Sequence, residues 1–559
     1  MHQNGGNNDK VRIWDNSNIA ESYIGVVLPL TCSFARQIYT TTYINLARHS
    51  LISEVKINQY QDIFENLLGF YYGRFYYNIT NWYKMMTLFP SYDRNKKNFN
   101  TMISLKTKIE LDKKYILNVD LKFKIRYYFQ FIVRYPLFEK EIDEFKEHIR
   151  KFLRYHKKVN FNEMDSKELL DIYYNSLNEL LNKWSLSVEN DFLLMTFFGM
   201  LERFCKKNEL KEEYFLEYIS NIKNVVSSDQ VKYLQNLSKE FKRYPIIYNL
   251  GTKKKYKECL ERIRSEKDYS YLKKTLENYL EIYGGRFAND LRLESEEIDE
   301  NPEYIIKLLL LYSKLNIKNN KKVLEDKLKS KLSYYKIIYL NWLIKNIHNY
   351  SRNREELRLL RSQSFSLIRK IFIGISHKFV ERGLIANWND IFYLEIDEIK
   401  RYIEGSSITY NFKEIIKIRK KEYATYLSKD SKPFFVTRRD DYIPFPEVIE
   451  KNEENNLVGK GCSKGIVKGK VKVLTSFRLP DKEKFDIIVV PHTDPGWTPL
   501  FGLCKGIIVE HGGLLSHAAV ISRELNLPCI IGVAKATTKF KDGQIITMNG
   551  STGKIKLHE

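Results

Sequence analysis

Between residues 34 and 425 apolar residues recur three and four apart almost without interruption, as in LLDIYYNSLNELLNKW (169–184) and YIIKLLLLYSKL (304–315). That spacing places the apolar side chains on one face of an α-helix, so this stretch predicts a succession of long amphipathic helices. Pro and Gly are scarce in it, which leaves few turns, and no fixed-period repeat marks it as a solenoid. Near residue 430 the texture changes. Pro433, Pro444 and Pro446 fall close together and the polar run EKNEENNLVGKG follows, a composition that reads as a linker over 431–457. Beyond it come short β-type runs, GIVKGKVKVL, FDIIVV, GIIVE, CIIGV and QIITM, separated by Gly, Pro and Asp. The expected architecture is multidomain: a disordered N-terminus over 1–10, a large mainly α-helical domain over 11–430, the linker, and a small α/β domain over 458–559.

Composition removes several function classes. The formal charge is +23, and clustered cations would suit nucleic acid through counterion release. Here Lys alternates with Glu and Tyr, as in KEHIRKFLRYHKK (146–158), so a solvated basic surface is expected and no nucleic-acid partner. No run of about 18 apolar residues suggests a membrane span, and the start MHQNGGNNDK lacks the apolar core of a signal peptide. The expectation is a cytoplasmic protein with no membrane partner. The cysteines Cys32, Cys205, Cys259, Cys462, Cys504 and Cys529 lack CxxC spacing, so reduced and mostly buried thiols are expected, with no metal site.

One segment of the last domain carries chemistry. In EHGGLLSHAAVISRELNLP a strand runs out at Glu510, Gly512 and Gly513 permit a tight turn, and Ser516 stands at the N-cap of a helix. His517 then lies in the first helical turn, where backbone N–H groups and the positive end of the helix dipole favour an anion. Imidazole is a competent nucleophile near neutral pH, and Ala518 and Ala519 leave it uncrowded. Gly512, Gly513 and Ser516 shape the turn and cap and are also candidate phosphate contacts; His511 reads as a turn residue.

The residues TDPGWTPLF (493–501), GIIVEHGGLLSHAAVISRELNLPCIIGV (506–533) and KDGQIITMNGSTGKIKL, taken together, resemble the swivelling phosphohistidine domain of the phosphoenolpyruvate-utilising enzymes. That resemblance implies that His517 is the residue phosphorylated. Upstream, the pieces GVVLPLTCSFAR, GRFYYNITNWYKMMTLFP, EIYGGRFANDLRLES, NREELRLLR and RGLIANWNDIFYLEIDEI resemble, in that order, the helical middle domain found in the rifampin phosphotransferase branch. In NREELRLLR, Arg354, Arg358 and Arg361 lie at i, i+4 and i+7 with Glu355 beside them. Such a face can clamp a phosphoryl group in transit, or it can be a solvated helix surface with salt bridges to Glu355 and Glu356. The branch uses an Arg-Glu-x-x-Lys arrangement near its acceptor, and Arg354, Glu355 and Arg358 match it with Arg in place of Lys. Arg286 in YGGRF is a candidate phosphate or substrate contact, although the family more often has His-Arg-Gly there. Tyr76, Tyr77, Trp82 and Tyr83 read as core, with a substrate-facing aromatic wall as the alternative.

What the resemblance implies about activity is a phosphotransferase of dikinase type, with ATP converted to AMP and phosphate through a phosphohistidine. No Gly-rich phosphate loop is seen upstream of the helical stretch, so Mg-ATP is expected on a separate ATP-grasp partner protein and no cofactor on this chain alone. His517 would carry the phosphoryl group to a small-molecule acceptor in the helical domain. Leu515, where the pyruvate-type enzymes commonly have Thr, argues against pyruvate chemistry. The alternatives are a degenerate regulatory homologue and a carrier that passes phosphate to another protein.

Overall fold

The computed structural model describes residues 11–16, 19–88, 121–181, 183–210, 215, 218–220, 222, 225–286, 291–297, 302–314, 332–429, 434–438, 441–443, 458–479, 485–514 and 516–558. The expected disordered N-terminus over 1–10 lies outside them, as do Leu515 and most of the expected linker. Contacts divide the chain into two compact units. The first holds Met1–Glu189, Asn289–Ser295 and Leu360–Asn452, the second Asn190–Ala288, Glu296–Leu359 and Glu453–Glu559. The helical stretch expected as one domain over 11–430 is therefore shared between two units, because contacts between distant segments override continuity along the chain.

The helices that matter below are α1 (Pro29–His49), α2 (Phe138–His156), α3 (Ser166–Leu181), α4 (Val226–Lys242), α5 (Ser270–Tyr283), α6 (Pro302–Tyr312), α7 (Tyr334–Glu381), α8 (Thr498–Phe501) and α9 (His517–Glu524). Among the described residues no helix is long and apolar enough to cross a membrane.

Among the described residues the first unit is helical apart from one five-stranded sheet, ordered β2-β3-β1-β4-β5, where β1 is Val11–Asp15, β2 Leu68–Tyr71, β3 Arg74–Asn78, β4 Phe434–Arg438 and β5 Asp441–Ile443. Helices α1 and α3 pack through Phe34 against Tyr173, and Tyr173 donates its hydroxyl to Gln37 Oε1 at 2.8 Å. Strands β2 and β3 break the helical pattern as a two-residue hairpin. Tyr72 (φ 47°) and Gly73 (φ 70°) both take positive φ, the backbone of a type I′ turn. Strands β4 and β5 correct the reading of 431–457 as linker. The prolines that suggested a loop flank two strands, and β4 pairs antiparallel with β1 along five residues. Burial explains the pairing: Trp14, Tyr76 and Phe435 form an apolar cluster, and Trp14 Nε1 donates to Thr437 Oγ1 at 2.9 Å. Tyr76, Tyr77, Trp82 and Tyr83 are all buried, as expected of core residues.

The second unit joins helices to a seven-stranded mixed sheet, ordered β12-β11-β7-β8-β9-β10-β6. Its strands are β6 (Lys460–Ser463), β7 (Ile466–Val473), β8 (Ile487–Val490), β9 (Gly506–Val509), β10 (Cys529–Ile531), β11 (Ile545–Asn549) and β12 (Lys554–His558). Strands β7 to β10 run parallel, and β6, β11 and β12 are antiparallel to their neighbours. The apolar runs of β8, β9 and β10 are wholly buried, as parallel strands covered on both faces must be. Period-two alternation sorts them. Ile487, Val489, Ile508 and Ile530 face a small core closed by Ala536 and Phe540. Ile488, Val490, Ile507, Val509 and Ile531 face a larger core that also contains residues of α4, α5, α6, α8 and α9. The unit is thus a large helical region followed by a C-terminal mixed-sheet domain, as the sequence pattern predicts.

Candidate functional site

The site begins at the carboxyl ends of β8 and β9, where open parallel sheets present their loops. After β9 the chain turns through Gly512, whose φ of 133° suits a residue without Cβ. Gly513 carries no such demand, since a Cβ there would meet nothing within 4 Å. Ser516 does occupy the N-cap of α9 with extended backbone, but its side chain makes no capping bond. Instead Ser516 Oγ is buried without a hydrogen-bond partner. His511 is more than half exposed at the loop, 3.9 Å from Glu510 Oε2.

After β8 the segment DPGWTPLF folds into a short 3-10 turn, capped by Asp494 Oδ1 accepting from Gly496 N at 2.7 Å, and then into α8. Two side chains of the helical layer grip this backbone. Arg286 Nη1 donates to Pro495 O at 2.7 Å, and the Tyr312 hydroxyl donates to Pro499 O at 2.7 Å. Arg286 Nη1 also donates to Gln230 Oε1 at 2.8 Å, and Gln230 Nε2 donates to the Tyr279 oxygen at 3.0 Å.

His517 lies at the centre, 1% exposed. Its Nδ1 is 3.1 Å from Glu355 Oε2, and its Nε2 is 3.1 Å from Thr498 Oγ1. Ser227, in the first turn of α4, donates to the same Glu355 Oε2 at 3.1 Å. Glu355 Oε1 has no hydrogen-bond partner and stands 3.9 Å from Arg358 Nη1. Burial acts to raise the Glu355 carboxyl, yet the charge and hydrogen bond of His517, then Arg358 and Arg354, hold it down to about 2. Burial lowers the His517 imidazole, opposed by Glu355. Glu355 is thus held as a carboxylate against the imidazole Nδ1. A carboxylate at Nδ1 selects the Nδ1–H tautomer and leaves the lone pair on Nε2.

The structure thus brings His517, Glu355, Arg358 and Arg286 together. Arg354 lies on the same helix, its Nε 3.4 Å from Asp191 Oδ1. Arg361 belongs to the first unit and acts electrostatically on Tyr39 there. Thr498, Ser227 and Gln230 escaped the sequence reading. Thr498 stands inside the quoted TDPGWTPLF, but nothing local shows that it faces an imidazole 19 residues later. Ser227 meets Glu355 across 128 residues, a separation without a sequence signal.

One further carboxyl borders the site. Glu524, the last residue of α9, accepts from Ile222 N at 3.1 Å and is raised to about 8, chiefly by burial. Its ordinary value is 4.5. Between that value and about 8 the unfolded chain releases a proton that the folded chain keeps, so stability falls as pH rises through this window and levels off above it. Glu524→Gln is expected to be more stable than the parent at pH 8, by on the order of 3 kcal/mol, and equal at pH 4. Urea titrations of both chains at the two pH values check this, and parallel curves would refute it.

Two stretches of the chain are similar to known proteins. Residues 482–553 match the mobile domain of PEP-utilising enzymes, and residues 187–355 match the fourth domain of rifampicin phosphotransferase. The rifampicin phosphotransferase of Bacillus subtilis is 33% identical over 211 residues, 38% of this chain and 24% of that protein. That of Bacillus cereus is 28% identical over 298 residues, 50% of this chain and 34% of the relative. A phosphoenolpyruvate synthase of Aeropyrum pernix is 34% identical over 144 residues, 25% of this chain and 16% of that protein. The matched stretches span a quarter to a third of the length of the two rifampicin phosphotransferases. His517 lies within the stretch similar to the PEP-utilising mobile domain, and Glu355 is the last residue of the stretch similar to the rifampicin phosphotransferase fourth domain.

Proposed function

We propose that this chain, built on a PEP-utilising mobile domain and a rifampicin phosphotransferase-like helical domain, is a phosphotransferase component that carries a phosphoryl group on His517. The observation that carries this reading is the buried contact of 3.1 Å between His517 Nδ1 and Glu355 Oε2, which joins the GGLLSHAA histidine to the arginine-bearing helix. In the charging step the Nε2 lone pair attacks the β-phosphorus of Mg-ATP held by an ATP-grasp partner and AMP leaves; water then hydrolyses the β–γ anhydride, releasing the γ-phosphate as inorganic phosphate and leaving one phosphoryl group on Nε2. In the transfer step the acceptor oxygen attacks phosphorus, the P–Nε2 bond breaks, and its electron pair returns to Nε2. Glu355 Oε1, buried beside Arg358 and without a hydrogen-bond partner, is positioned to take the acceptor's proton. Arg354 and Arg358 supply positive charge for the phosphoryl group in flight, and Arg286 holds the turn that presents Thr498 to Nε2. Gly512, Gly513 and Ser516 border the phosphoryl position, Ser516 with a hydroxyl free to bond a phosphoryl oxygen.

The acceptor is proposed as a small molecule bearing a hydroxyl, carboxylate or amide oxygen. The test is incubation of the chain with an ATP-grasp partner, Mg-ATP and candidate acceptors, followed by intact mass. One added phosphate, appearing only with the partner present and lost when acceptor is supplied, is the expected result. Charging by Mg-ATP in the absence of any partner would refute the two-component arrangement, and absence of any phosphate on the chain would refute the carrier role.

A further inference from the structure

Two cysteines unused by this chemistry stand on neighbouring strands of the seven-stranded sheet. Strand β6 pairs antiparallel with β10, but the register slips: Cys529 is opposite Ser463, and Ile530 is opposite Gly461. Cys462 is the extra residue of this β-bulge. A bulge sets two residues of one strand against one of the other, which turns Cys462 toward the same partner as Ser463. Both thiols accordingly lie in the same apolar core as Ala518, Ala519 and Ile521 of α9, and both are fully buried. The Cys462 thiol donates to Cys529 O at 3.4 Å. All six cysteines are free.

Arg523 completes the arrangement. It is 3% exposed, donates from Nε to Cys462 O at 2.8 Å, and donates from Nη2 to Leu514 O at 2.6 Å. Burial acts to raise the Cys529 thiol, but its polar surroundings, the charge of Arg523 among them, bring it below its ordinary value. Cys462 is raised by burial. With the Cys462 thiol donating to Cys529 O, Cys529 is assigned as the nucleophile and Cys462 as the resolving group.

We infer that Cys462 and Cys529 form a site of reversible oxidation by hydroperoxides, closing a disulfide across β6 and β10 beneath the helix that bears His517. Cross-strand neighbours lie within the span a disulfide requires. Oxidant reaches them when β6, a four-residue edge strand, frays from the sheet. The Cys529 thiolate attacks the peroxide O–O bond, giving a sulfenic acid and releasing water or an alcohol. The Cys462 thiol then displaces hydroxide from that sulfur, and a second water is formed. The peroxide is reduced by two electrons, and the two thiols are oxidised to one disulfide. Through Arg523 the new cross-link acts on Leu514 in the loop that leads to His517.

The test is treatment of the full chain with hydrogen peroxide, non-reducing digestion and peptide mass mapping. The expected product is one cross-linked peptide pair containing Cys462 and Cys529, with a mass loss of two hydrogens that dithiothreitol restores. Cys462→Ala removes the resolving thiol, so dimedone is expected to trap a sulfenic acid on Cys529, whereas Cys529→Ala gives no adduct on Cys462. Oxidation of half-buried Cys32 with no Cys462–Cys529 pair in the parent chain would overturn the inference, and so would a Cys529 left unmodified in Cys462→Ala. Neither outcome depends on the phosphotransfer reading.

Discussion

With an ATP-grasp partner and Mg-ATP, the parent chain is expected to gain one acid-labile phosphate and His517→Ala none. A phosphoramidate bond to imidazole hydrolyses in acid, unlike a phosphate ester, so acid lability identifies the bond as well as the count. Loss should be complete because the nucleophile itself is removed. Since His517 is buried against Glu355, alanine also leaves the carboxylate with Ser227 as its remaining hydrogen-bond donor. His517→Asn is the companion variant: its amide can still donate toward Glu355 but offers no nucleophilic nitrogen. Intact-mass spectra of both variants, alongside circular dichroism to show that they fold, decide the matter. A label that persists in either one would place the phosphoryl group elsewhere.

Charging and transfer should separate at the arginine helix. Glu355→Gln, Arg354→Ala and Arg358→Ala are expected to leave charging of His517 near normal and to slow its discharge when acceptor is added. Losing one transition-state charge contact typically costs about 2.7–4 kcal/mol, roughly a hundred- to a thousandfold in rate. The glutamine variant is the sharpest of the three, because its amide oxygen still accepts the Nδ1–H bond while the charge and the proton acceptor are gone. Arg354 is expected to show the smallest effect, as its guanidinium already faces Asp191. The measurement is a pair of rates on each variant, phosphate gain from ATP and phosphate loss to acceptor. Equal loss rates in all three variants and the parent would reduce this face to an ordinary helix surface.

Much of this protein is legible in its residues one segment at a time. Apolar spacing of three and four marks the helices, and the runs ending in IIVV, GIIV and CII mark the buried parallel strands, because each pattern reports a periodicity that local backbone geometry imposes. The turn and helix start around His517 are equally local, resting on Gly512 and on Ser516. The tertiary structure alone decided the rest. Strand β1 finds β4 more than 400 residues away through Trp14, Phe435 and Thr437, so prolines that look like a linker become the borders of a buried strand. Glu355, legible only as one side of an arginine face, becomes the partner of His517 across 162 residues, with Ser227 on the same oxygen. The pairing of Cys462 with Cys529 depends on a one-residue slip between strands that no CxxC spacing announces. Local patterns are written by the backbone's own repeat, which a short window captures. Hydrogen-bond partners, and the burial that sets a carboxylate against an imidazole, exist only once distant segments exclude water together.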